Sequence, residues 1–141
     1  MGHYASGGSN AYWDNSSLSL AKIQGGAGAS SSVFLKDDQD VTPYDEVRVR
    51  FWYYASNVDS TNDNFFLEYS PDGGNTWEIV REFIFGHDFL NNGSYQVEVP
   101  IPRTAFSLTK RARIRFRCDT NTAYKQIWID DVAIGGISNA S

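Results

Sequence analysis

Cysteine is almost missing from this chain: Cys118 is the only one in 141 residues. That excludes an internal disulfide and any zinc cluster built from thiolates. Histidine is scarce too, with His3 and His87 far apart and no serine in a nucleophile-elbow context, so no Ser-His-Asp constellation is suggested. No glycine-rich phosphate loop opens a helix. The longest apolar runs, Phe51 to Ala55 and Ile127 to Ile129, are too short to span a bilayer. Positive charge is in deficit: 12 Lys and Arg against 17 Asp and Glu leave a net charge of −5, which argues against nucleic acid as the main partner. Helical periodicity is missing as well.

What is present is aromatic. Aromatic residues make up 15% of the chain, with 4 Trp, 8 Tyr and 9 Phe, in a composition that is 41% hydrophobic. This is ordinary for a globular protein, and the length fits one domain. The dominant period is two. Val47, Val49, Phe51 and Tyr53 fall on one face of a strand, and Arg48, Arg50, Trp52 and Tyr54 on the other. Ala112 to Cys118 alternates more strictly still. Ser32 to Lys36, Asn64 to Ser70, Thr76 to Phe85, Tyr95 to Ile101 and Gln126 to Ile134 are further predicted strands. Turn residues separate them at Thr42-Pro43-Tyr44, Pro71 to Asn75 and Asn91-Asn92-Gly93. Seven or more strands at this spacing predict an all-β fold, an antiparallel two-sheet β-sandwich. A short helical turn is expected near Thr104 to Leu108. The Ser/Gly/Ala-rich segment Ser16 to Ser32 reads as a long surface loop. Met1 to Asn10 reads as the start of a domain excised from a longer parent, and Gly135 to Asn139 as a linker or domain edge.

Three signals bear on chemistry. Ser70-Pro71-Asp72-Gly73-Gly74-Asn75-Thr76-Trp77 fits the Asp-box pattern Ser-x-Asp-x-Gly-x-Thr-Trp. It predicts a self-capped hairpin: Asp72 accepts backbone N–H bonds, the glycines supply positive φ and Trp77 packs over the turn. One copy is a structural device and does not make a propeller. The acidic pair Asp130-Asp131 cannot form a glycosidase pair with itself, because neighbours in a strand point to opposite faces. Such acids, with Asn10, Asp14, Asn15, Asp37 and Asp38 in loops, are either calcium ligands or ordinary surface acids and turn caps. Finally, Arg111, Arg113, Arg115 and Arg117 share one strand face, and Arg48 and Arg50 share another. Planar aromatics stack on sugar rings and arginine forks hold carboxylate or sulfate, which would make a sugar-binding surface. The competing reading is a solvated face on which arginine alternates with Glu68 and Glu98 across strands. Cys118 is expected on the apolar side of its strand, buried and inert.

Four segments carry a family resemblance: Asn64 to Trp77, Arg113 to Asp119, Ile127 to Val132 and Phe51 to Tyr54. Together they resemble MAM-like jelly-roll modules appended to secreted bacterial polysaccharide-degrading enzymes, over about Asn10 to Ile134. The resemblance implies a single jelly-roll sandwich cut from a multidomain, exported protein, often with a structural Ca²⁺ near the first strand and the last Asp-containing strand. Asp130 or Asp131 would supply the terminal carboxylate, with Asp14 and Asn10 as partners, although Asn10 brings an oxygen without charge.

The expectation is therefore a noncatalytic carbohydrate-binding module, a secreted monomer tethered to a catalytic domain. It would hold a parent hydrolase or lyase on an acidic or sulfated polysaccharide. Neither nucleic acid nor membrane insertion is expected. The expected contacts are Trp52, Tyr54, Arg115 and Arg117, then Arg48, Arg50 and Trp128. The rival expectation is a MAM-like adhesion or protein-interaction domain, which predicts a contiguous exposed apolar patch. A small enzyme would need a Tyr, His or carboxylate cluster converging in a cleft.

Overall fold

The computed structural model describes residues 4–7, 11–14, 20–24, 31–35, 38–56, 64–119 and 126–138, with side chains for 38–56, 64–117, 127–129 and 132–138. Ten strands follow one another: β1 (Tyr4–Gly7), β2 (Ala11–Asp14), β3 (Leu20–Gln24), β4 (Ser31–Leu35), β5 (Glu46–Ser56), β6 (Asn64–Ser70), β7 (Glu78–Ile84), β8 (Ser94–Pro102), β9 (Arg113–Asp119) and β10 (Gln126–Ile137). They form two antiparallel five-stranded sheets. The first runs β1-β4-β9-β6-β7 and the second β2-β3-β10-β5-β8. No helix occurs among the described residues. Near Thr104 the chain makes a single turn, in which the Phe106 N–H donates to the Pro102 carbonyl at 3.0 Å.

The strands with strong alternation lie where the sequence predicts them. β6 is exact, and the others shift by one to three residues at an end. The segment Ser16 to Ser32 is not one loop, however: it contains β3 and the first two residues of β4. β3 lies between β2 and β10, so Ala21 pairs with both Trp13 and Ile129. Ladder bonds from two neighbours hold a short, small-residue segment extended, and composition does not reveal them. β1 likewise lies inside the stretch read as a leading edge, and β10 continues through Gly135-Gly136 to Ile137.

The core lies between the sheets and is built from the inward half of each alternation. β5 contributes Val47, Val49, Phe51, Tyr53 and Ala55; β6 contributes Phe65, Leu67 and Tyr69; β9 contributes Ile114 and Phe116; β10 contributes Ile127 and Ile129. Most of the described aromatic content is spent here. Phe51 meets Phe116 edge-on at 4.8 Å, Phe65 stacks on Phe83 at 4.5 Å and Tyr53 stacks on Tyr95 at 5.3 Å. Burying a side chain of Phe51's size contributes about 2–3 kcal/mol. Burial also pushes the Tyr53 phenol up to about 12, because the ionised form would lose its hydration.

Candidate functional site

With the apolar half of each strand committed to the core, the polar half must form the two outer surfaces of the sandwich. These surfaces differ in what they leave open. On the β9 side, alternation turns Arg113, Arg115 and Arg117 outward, beside Phe66, Glu68 and Ser70 of β6. Arg115 Nε and Arg117 Nε donate to the same Glu68 carboxylate oxygen at 2.7 and 3.1 Å. The Glu68 side chain is only 5% exposed. The guanidinium of Arg115 lies 4.4 Å from the Trp77 ring centre, and that of Arg117 lies 4.3 Å from the Phe66 ring centre. A carboxylate this buried needs paired, hydrogen-bonded cations, and the flat guanidinium ions also roof the aromatic rings. At the start of β9 Arg113, and just before it Arg111, bracket Asp38 at 2.8 and 3.4 Å, and the Arg113 hydrogen bond holds the Asp38 carboxyl below its usual range.

Next to this layer, the Ser70–Trp77 turn is closed by its own side chains. Asp72 Oδ1 accepts the Thr76 N–H at 2.8 Å and Oδ2 accepts the Thr76 hydroxyl at 2.6 Å, while Ser70 Oγ accepts the Gly74 N–H at 2.8 Å. Gly73 and Gly74 take φ of 72° and 92°, a region costly for residues with a Cβ. These bonds, the Thr76 hydroxyl first, hold the Asp72 carboxyl down at about 2.

The outer surface of the second sheet is arranged differently. Here β5 presents Arg48, Arg50, Trp52 and Tyr54, flanked by Pro100, Glu98, Gln96 and Ser94 of β8 and by β10. Arg48 is engaged by Glu46 at 2.5 Å and Glu98 at 3.4 Å. Trp52 is 39% exposed in mid-strand, with Gln96 as its cross-strand partner. The Tyr54 hydroxyl donates to Asn92 Oδ1 at 2.8 Å, which fixes the ring at the edge of the face. Asn92 itself is pinned by its N–H to the Ala55 carbonyl and sits at φ 62°. Trp128, half-buried, is the cross-strand partner of Tyr54 on β10.

The structure therefore divides the seven expected contact residues. Trp52, Tyr54, Arg48, Arg50 and Trp128 share one outer face, whereas Arg115 and Arg117 lie on the opposite sheet. The two groups cannot contact one ligand face, because alternation fixes a side chain's direction relative to its own strand but not which sheet that strand joins. Asn92 and Gln96 are additions that the sequence analysis missed; their proximity follows from the β5–β8 register rather than from any motif. The expected metal residues lie outside the described residues: Asn10 entirely, and Asp14, Asp130 and Asp131 as side chains. The Cys118 side chain is outside them too. Asp88, beside His87, accepts the Ile84 N–H at 2.8 Å and so closes a turn.

No family model matches the chain, and no curated protein matches it. Solved structures do. A family 4 carbohydrate-binding module superposes with a TM-score of 0.59 at 17% identity, covering 96% of this chain and 95% of that one. The fold is the jelly roll of carbohydrate-binding modules. A family 61 module in complex with β-1,4-galactotriose matches at TM-score 0.56 and 17% identity, over 94% of this chain and 88% of that one. The same jelly roll is found in the K3 adhesin domain of Lys-gingipain from Porphyromonas gingivalis, at TM-score 0.64 and 14% identity, over 93% and 90%. The jelly roll thus serves modules of both kinds, and the choice between them rests on the side chains it displays.

Proposed function

We propose that the chain is a noncatalytic carbohydrate-binding module of an exported protein, and that the outer face of the β2-β3-β10-β5-β8 sheet is its ligand surface. The carrying observation is Trp52: a tryptophan in the middle of a strand, 39% exposed, with its indole outside the core that the rest of β5 builds. A rigid planar ring left open beside polar groups is suited to stacking on a sugar, because it offers apolar area at low entropic cost. Tyr54, oriented by Asn92, and Trp128 extend this surface. The arginines on the face favour an acidic or sulfated glycan. Tethering a parent enzyme to such a polymer would raise its effective concentration on the substrate.

The adhesion reading expects a contiguous apolar patch. Among the described residues the other exposed large apolar side chains, Ile79, Leu90 and Ile134, belong to β7, to a loop and to β10. They do not assemble into one face.

Affinity electrophoresis of the domain in gels containing neutral, uronic or sulfated polysaccharide tests the reading. Retardation is expected in at least one gel, and Trp52→Ala is expected to abolish it with the melting temperature within a few degrees of wild type. Loss of folding in Trp52→Ala would show that the ring is structural. A folded wild-type domain that no gel retards would point to the adhesion reading instead.

A further inference from the structure

Arginines on sheet surfaces usually find a partner, often a cross-strand acid, and among the described residues seven of the eight arginines do. Arg48 is held by Glu46 and Glu98, Arg81 lies 3.7 Å from Asp88, Arg111 and Arg113 bracket Asp38, and Arg115 and Arg117 share Glu68. Arg103 donates to the carbonyls of Thr42 and Tyr44. Arg50 alone, exposed at the centre of β5, makes neither ion pair nor hydrogen bond among the described residues. Its cross-strand acid, Glu98, is drawn one position along to Arg48.

The ground beside Arg50 is also open. On β10 its cross-strand partner is Ala133, and the next outward position is Gly135, opposite Arg48. Both are exposed, and a methyl group placed on Gly135 would meet nothing within 4 Å. Gly135 does not occupy the positive-φ region that would require a glycine. A trough floored by small side chains therefore runs beside a guanidinium that has no partner among the described residues. Two residues further along the strand, about 7 Å away, is Trp52.

We infer that Arg50 and the Ala133–Gly135 trough form an anion subsite. It receives the carboxylate or sulfate of a sugar adjoining the one stacked on Trp52. This deepens the proposed function and rests on it. Arg50 supplies a bidentate fork with no partner among the described residues to displace, and the trough admits the substituent's bulk. The four arginines of the opposite sheet take no part.

The test compares dissociation constants for polygalacturonate (a carboxylate probe), dextran sulfate (a sulfate probe) and neutral β-1,4-galactan. Wild type, Arg50→Gln, Gly135→Val and Arg111→Gln are measured. Arg111→Gln removes the same charge from the other sheet. Arg50→Gln is expected to weaken binding of an acidic polymer by about tenfold to a hundredfold, the size of one charge-assisted hydrogen-bonded contact. Neutral binding should be unchanged. Gly135→Val should weaken acidic binding with no loss of melting temperature, since valine suits a strand, and Arg111→Gln should match wild type. Which acidic probe responds identifies the anion as carboxylate or sulfate.

Equal losses in Arg50→Gln and Arg111→Gln would overturn the inference in favour of unspecific charge attraction. So would an Arg50→Gln variant that keeps the full acidic preference, or a wild type with no such preference. Each of these leaves the Trp52 reading standing. That reading fails separately, if Trp52→Ala retains every glycan.

Discussion

Asp72 and Glu68 are both carboxylates to which the fold supplies partners, yet they answer different needs. Asp72 is half-buried and works as a cap, collecting the Thr76 N–H and hydroxyl. Its folded pKa of about 2 lies below the ordinary 3.8, so its stabilisation is complete above about pH 4 and is lost as pH falls through 2. Asp72→Ala is expected to lower the melting temperature at pH 6, and the gap from wild type should close between about pH 4 and pH 2. A gap independent of pH would assign the loss to the turn's backbone instead. Glu68 is buried and depends on two cations at once. Replacing Arg115 and Arg117 together by methionine keeps the apolar stems but strands the carboxylate, at an expected cost of about 3–5 kcal/mol in denaturant unfolding. Glycan retention by the folded fraction should be unaffected.

Among the elements, the long strands announce themselves and the short ones do not. β5, β6 and β9 are legible because each runs seven or more residues with apolar side chains at every second position, and each step repeats the same vote. β1 and β2, with four residues each, and β3, with five, offer too few steps. Their extended form depends on ladder bonds from distant strands, which a local pattern does not contain. The candidate face was legible to the same extent. Alternation placed Arg50, Trp52 and Tyr54 on one face correctly, but the partition of strands between sheets separated them from Arg115 and Arg117. A proline probes the least legible strand directly. Ala21 lies between two hydrogen-bonded neighbours, so Ala21→Pro should cost about 1–3 kcal/mol in thermal or denaturant unfolding. A true surface loop would accept it with little change.

At the level of the whole molecule, the two outer surfaces divide the labour of the sandwich. One is closed: arginines lie flat on Phe66 and Trp77, and their charge is largely answered by Glu68 and Asp38. It protects the sheet at the cost of carrying no open ring. The other leaves Trp52 and Arg50 exposed, Arg50 without a partner among the described residues. A sandwich can leave such groups open only because its core is already complete, with Phe51 and Phe116 fully buried between the sheets. Substitutions on the open face should therefore change binding with little effect on stability, and substitutions on the closed face the reverse.

The pairing of β10 with β5 has a mechanical side. The two strands run antiparallel from Gln126 opposite Ser56 to Ile137 opposite Glu46, interrupted only by the bulge after Asp130. A pull directed along β10 loads this ladder in shear. Its rungs must then give way together, instead of peeling one after another from an end. Rupture under load is governed by the barrier to unfolding rather than by equilibrium stability. A domain gripping a fixed polymer through Trp52 while dragged by its far end would hold by the very strand that carries its grip.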